Sequence, residues 1–114
     1  MENEQTISID DFFKAVLKIG VVKECKPVKR SEKLFELLVD IGGVERTILS
    51  GLVGSYTADE LLGKQVVVVT NLEPRKICGI QSNGMIVAAS DATDNDKAVL
   101  LVPEKPVPSG SSID

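Results

Sequence analysis

Residues 71–90, NLEPRKICGIQSNGMIVAAS, group turn-forming, cationic and hydrogen-bonding residues on two turns. The stretch opens in a polar turn at 71–74 and sets Arg75 and Lys76 side by side. It then crosses a short apolar piece, turns again at 81–84, and closes in a strand at 85–89. A hairpin-like return of this kind brings the two turns close together. Bare cations flanked by Asn, Ser and Met suit contacts to phosphate and sugar better than catalysis.

Outward from this stretch, the chain reads as short strands. Toward the N-terminus, QVVVVT (65–70) has four consecutive valines and predicts a strand buried on both faces. Before it, Thr57 to Glu60 has the T-x-x-E form of a capping box and starts a short helix stopped by Gly63. Two alternating runs, 34–41 and 45–49, meet at Gly42-Gly43, a strong hairpin signal. VLKIGVVKEC (16–25) predicts a long first strand, with Gly20 as a bulge or bend and Pro27 as its end. Ser8 caps a short helix carrying Phe12 and Phe13, which serve either as core anchors or as an oligomer contact. After the opening stretch come an acidic turn at 91–96, a last strand at 97–102, and a Pro/Ser/Gly-rich end. A helix between the third and fourth strands is the order of the OB-fold. The expected class is therefore all-β with short helices: a five-stranded Greek-key barrel with N- and C-terminal extensions. Residues 1–107 are expected to form a single domain, with a loose start at 1–6 and a flexible tail at 108–114.

The 114 residues suffice for one modest core, and with no Trp, three Phe and one Tyr that core must be aliphatic. No apolar run approaches the roughly 20 residues that span a bilayer, and no signal-peptide core follows MENEQ. Cys25 and Cys78 form no CxxC pair, so they read as free cytosolic thiols; the expected compartment is the cytoplasm, with no membrane partner. The formal net charge of −4 conceals an asymmetry. Lys23, Lys26, Lys29, Arg30 and Lys33 place five of thirteen cations within eleven residues, while Glu2, Glu4, Asp10, Asp11, Asp91, Asp94 and Asp96 lie toward the ends. The basic run is either a solvated loop or a locally positive face on an acidic protein.

Enzyme chemistry finds little purchase. Histidine is absent, which removes the usual general base near neutral pH. The carboxylate pairs Asp10-Asp11 and Asp59-Glu60 sit at predicted helix starts, where they favour the helix dipole. There is no GxxxxGK[ST] phosphate loop, and Ser50 has neither a GxSxG frame nor a His partner. No catalytic residue, metal site or cofactor is expected. Stacking of single strands is also disfavoured, because the barrel offers almost no aromatic surface. A cationic, hydrogen-bonding face that meets a folded RNA by shape remains.

NLEPRKICGIQSNGMIVAAS resembles the signature of the tRNA-binding domain family. IDDFFKAVLKIGVV (9–22), SEKLFELLVDIGG (31–43) and ERTILSGL (45–52) agree with it in order, so the resemblance covers roughly residues 7–105. That family includes free-standing tRNA-binding proteins, a domain or separate subunit of methionyl-tRNA synthetases, a domain of cytokine-like synthetase cofactors, and a bacterial chaperone-like relative. The resemblance implies an OB-fold and sequence-tolerant binding to the shape of tRNA. It also implies a homodimer formed through 1–15 and 91–107, and service to methionyl-tRNA synthetase as a partner.

Carried onto this chain, the resemblance assigns roles. Asn71 hydrogen-bonds the RNA backbone or a base edge, Arg75 and Lys76 meet phosphates, and Ser82 contacts sugar or phosphate. Met85 packs on an exposed base or ribose; Lys33 and Arg46 extend the charged surface, and Ser50 lies in the matching S-G-L stretch. The residues themselves leave rivals open: turn chemistry for Asn71 and Ser82, a solvated pair for Arg75 and Lys76, and core packing for Met85. The competing function is a chaperone-like or export-related homodimer of the same fold that binds peptides through an apolar groove.

Overall fold

The computed structural model describes residues 4–114. The element order is α1 (Ile9–Phe12), β1 (Leu17–Pro27), β2 (Phe35–Ile41), β3 (Val44–Ser50), α2 (Ala58–Leu61), β4 (Gln65–Val69), β5 (Arg75–Ile77), β6 (Ile80–Ser82), β7 (Met85–Ile86), β8 (Ala88–Asp91) and β9 (Lys97–Leu100). Five strands form one antiparallel sheet in the order β3-β2-β1-β4-β7, and β5-β6 and β8-β9 are separate ribbons. The large sheet curls into an open, OB-like half-barrel with the short helix α2 between its third and fourth strands, as the sequence predicts. Its two edges approach each other where the Asn83 amide donates to the Thr47 carbonyl at 2.8 Å.

Period-two alternation fills the barrel. In β2, Phe35, Leu37, Val39 and Ile41 all point inward and are buried, while Glu36, Leu38 and Asp40 alternate outward. Val22 from β1, Ile48 from β3, Leu52 after it, Val66 and Val68 from β4, and Ile86 from β7 join them in a mainly aliphatic core, and Leu61 of α2 is packed into it. Val67 and Val69 are buried on the other face, so the four-valine run is covered on both sides. The Thr57–Glu60 capping box forms reciprocally, at 3.2 and 2.8 Å, and these bonds hold the Glu60 carboxyl below its ordinary range. Leu100 of the β8-β9 ribbon also reaches the core, held by the Tyr56 hydroxyl, which accepts its amide at 3.1 Å.

Several expectations are corrected. The irregularity in β1 falls between Val22 and Glu24. At Gly20 the strand is regular, and a Cβ there would lie 2.5 Å from Val39 Cγ1, so the residue is glycine for close packing. Phe12 and Phe13 stack edge to face but are about half exposed, so they are not core anchors within the chain. Residues 4–6 are exposed and without regular structure, as expected; residues 1–3, with Glu2 among them, lie outside the described residues. The largest difference is at the C-terminus. Residues 108–114 are not a free tail but run along the part of β1 that β2 leaves unpaired. Gly110 N donates to Ile19 O at 2.7 Å, Ile19 N to Ser111 O at 2.9 Å, and Ile113 N to Leu17 O at 3.0 Å.

Candidate nucleic-acid interface

The β5-β6 hairpin is tighter than the sequence implies. Its register pairs Arg75 with Ser82, Lys76 with Gln81 and Ile77 with Ile80, leaving Cys78-Gly79 as a two-residue turn. Both turn residues have positive φ, 51° and 79°, the geometry that matches the twist of a two-stranded ribbon. Residues 81 and 82, expected in a turn, are therefore strand, and Asn83-Gly84 carries the chain across to β7. The hairpin tip faces the basic loop that follows β1. Between them lies a groove of about 470 Å³, lined by Lys26, Lys29 and Arg30 on one side and Cys78, Gly79 and Ile80 on the other. Glu36 is the one carboxylate among its lining residues, and it pairs with Lys26 at 3.8 Å. At that distance, with its lysine end largely in water, the pair is weak, and three cations against one carboxylate leave the groove positive. In an OB-fold the loop joining strands one and two and the excursion before the last strand are the ligand-binding loops. Here those are the 28–34 loop and the segment carrying β5-β6.

Because side chains alternate along a strand, Arg75 and Lys76 point to opposite faces of the hairpin. On the Arg75 face, Leu72, Glu73 and Met85 join Arg75 around a hollow of about 100 Å³ floored by Leu49 and Ile77. Met85 is 47% exposed, which settles its packing in favour of the surface. Ser82 lies beneath this hollow and is buried; its hydroxyl accepts the Leu49 amide at 3.0 Å and ties the hairpin to β3. In place of the free hydroxyl that a contact to sugar or phosphate calls for, the oxygen is engaged inside the protein. Ser82→Ala should leave the buried Leu49 N–H unpaired and cost about 1–3 kcal/mol of stability in urea denaturation. Below the unfolding transition its RNA affinity should match the parent chain, whereas a direct contact would lower affinity without lowering stability.

Asn71 is similarly committed. Its Oδ1 accepts the Val16 amide at 2.8 Å and its Nδ2 donates to Lys14 O at 2.6 Å, pinning the segment after α1 to the end of β4. Arg46 lies on the inward row of β3 and donates to Thr70 O beside Lys18, at the barrel end where β2 turns into β3. Four residues along the strand, roughly 13 Å, separate it from Ser50, which stands half-buried opposite Phe35 near the basic loop. Lys33 is exposed on that loop, and Lys76 is exposed on the hairpin. Of the expected residues, the structure thus gathers Arg75, Ser82 and Met85 closely, keeps Lys76, Lys33 and Ser50 nearby, and separates Arg46.

Residues 17–112 match the family model described as "Putative tRNA binding domain". This chain belongs to the tRNA-binding domain family. It is 46% identical over 112 residues to a methionine–tRNA ligase of Methanococcus aeolicus, covering 98% of this chain and 16% of the ligase. The chain thus spans about a sixth of the length of that curated relative. Among solved structures it resembles a MetRS-related protein from Pyrococcus horikoshii at 35% identity and a TM-score of 0.88, covering 96% of this chain and 99% of that one. It also resembles the CsaA chaperone protein from Picrophilus torridus at 26% identity and a TM-score of 0.85, covering 96% and 100%.

Within this tRNA-binding domain Lys26, Lys29 and Arg30, and not the expected Lys33, line the groove. Their clustering was visible; their position opposite the hairpin tip depends on where the turn falls. Among the described residues no group of His, Cys, Asp and Glu side chains is arranged to hold a metal ion, and no helix is long and apolar enough to cross a membrane. Cys25 packs against the core, and burial pushes its thiol up from its ordinary value.

Proposed function

We propose that this chain binds folded tRNA with the groove between the basic loop and the β5-β6 hairpin, reading shape with little sequence preference. The observation that carries this reading is the convergence of Lys26, Lys29 and Arg30 with the hairpin tip in a chain of the tRNA-binding domain family. A phosphate backbone crossing the groove meets these cations, with Arg75, Lys76 and Lys33 beside them. Phe35 is buried, so the barrel contributes no aromatic stacking of its own there. In the whole protein the module serves a methionyl-tRNA synthetase, as an attached domain or an auxiliary subunit, and raises the local concentration of tRNA. The likeness to the Methanococcus aeolicus ligase supports that role. We place the protein in the cytoplasm, where unpaired Cys25 and Cys78 are at home. A homodimer covers the apolar side chains left exposed at Ile7, Ile9, Phe12, Phe13, Val99 and Leu101.

A second reading, a chaperone-like peptide binder, draws on the same exposed apolar residues and on the likeness to the CsaA protein. Fluorescence anisotropy with folded tRNA, an unstructured RNA of equal length and a reduced unfolded protein separates the two. Folded tRNA should bind best and lose affinity steeply with salt. Arg75→Ala/Lys76→Ala should weaken it about tenfold, the loss of roughly 1.4 kcal/mol. Salt-insensitive binding of the unfolded protein, with no tRNA binding, would establish the peptide reading instead.

A further inference from the structure

We propose that the hollow bounded by Leu72, Glu73, Arg75 and Met85 receives one unstacked guanine base of the bound RNA. This rests on the tRNA-binding reading and adds a base preference to a contact otherwise made by shape. At about 100 Å³ the hollow holds the equivalent of roughly three waters at about 30 Å³ each, room for the edge of a single ring system. Its floor is apolar. Leu72 and Met85 stand half exposed at its rim, where burying them against a flat base removes both from water. Met supplies a polarisable sulfur and Arg75 a planar guanidinium, both suited to the face of a base.

Glu73 decides which base. Among the described residues it makes no ion pair, although Arg75 lines the same hollow, so both charged groups are free to engage a ligand. An ionised carboxylate is acceptor-only. Beside Arg75 it leaves the hollow without the net positive charge of the basic groove, which disfavours phosphate there, and it rewards an edge with adjacent donors. Guanine alone among the four bases sets two N–H donors, at N1 and N2, side by side on its Watson–Crick edge. Adenine and cytosine place an acceptor next to their single amino group, and uracil flanks its imino N–H with two carbonyls. The hairpin gives this hollow a natural neighbour: its tip lines the phosphate groove and its Arg75 face lines the hollow, so a strand held by the first presents a base to the second.

The test uses short oligouridylates carrying one central guanosine, inosine or adenosine, titrated into protein labelled at the methionine methyl groups. The chain has two methionines, Met1 and Met85, so the Met85 signal is identified by its loss in Met85→Leu. The guanosine oligonucleotide should bind about tenfold more tightly than the inosine one, which lacks the N2 amino group, and should move the Met85 resonance by ring current. Glu73→Gln should reduce the preference to under about twofold, by weakening the guanosine oligonucleotide while leaving the affinity of the adenosine one within about threefold. Equal affinity for the three oligonucleotides, a preference that survives Glu73→Gln, or an unmoved Met85 resonance would overturn the proposal while tRNA binding stood. An unfolded peptide that shifts Met85 where the oligonucleotides do not would overturn it too. Absence of tRNA binding by the parent chain would bring down the reading beneath it.

Discussion

Alanine at Lys26, Lys29 and Arg30 together should lower affinity for folded tRNA by about a hundredfold at low salt, a loss of roughly 2.7 kcal/mol. Each cation that neutralises a phosphate releases a condensed counterion, which contributes about 0.7–0.9 to the slope of log affinity against log salt. Removing three should flatten that slope by about two to three, so the variant and the parent converge as salt rises. Stability should be nearly unchanged. All three residues are exposed, and the single ion pair lost, Lys26 to Glu36, has its lysine end largely in water. Lys105→Ala, on the segment beside Val102 and Pro106 and outside the groove, is the control and should change neither slope nor affinity appreciably. An unchanged slope in the triple variant would mean that the RNA crosses another face of the barrel.

The barrel was largely legible because its determinants are local. Inward alternation in 35–41, the glycine pair at 42–43 with φ of 65° and 94°, and the Thr57 capping box each act within a few residues. The site was less so, because its determinants are pairings between distant segments. Cys78 is not a turn-forming residue by composition, yet it adopts φ of 51° because the Ile77–Ile80 pairing leaves only two residues to reverse the chain. That one-turn difference moves Gln81 and Ser82 from a loop into a strand. It also places Ser82 against Leu49, thirty-three residues away, where a hydroxyl is more useful as a buried acceptor than as an RNA contact. Asn71 likewise bonds across fifty-five residues to Val16. Polar residues in a signature can be there to build the surface that the ligand touches, and sequence pattern does not separate the two roles.

Truncation after Pro106 should destabilise the protein by about 4 kcal/mol and lower its melting temperature by about 20 °C. Composition argues for the opposite, since a Pro/Ser/Gly-rich end has little apolar area to bury. What holds it is the unpaired edge of β1. The strand pairs with β4 over Leu17 to Val21 but with β2 only from Val21 onward, so one side of its first residues lacks a neighbour. The C-terminal segment supplies that neighbour through the backbone bonds at Leu17 and Ile19. The Ser109 hydroxyl accepts the Gly42 amide at 3.0 Å and donates at 2.9 Å to Asp40, and Gln65 exchanges hydrogen bonds with Val107. At about 0.5 kcal/mol net for each of these bonds, the low end of the usual range, losing them removes about 4 kcal/mol of the 5–15 kcal/mol that a small domain possesses. Gly110→Ala probes the same contact without deletion. Gly110 has φ of +89°, and a Cβ there would lie 2.8 Å from Gly42 Cα, backbone against backbone, so the segment must lift from the β2-β3 turn. Thermal unfolding should place Gly110→Ala between the parent and the truncation. A truncated chain melting within about 2 °C of the parent would show that β1 closes its edge without the C-terminus. Below the transition, tRNA affinity of Gly110→Ala should stay near that of the parent, because the residue lies at the β2-β3 turn, the opposite end of β2 from the basic loop.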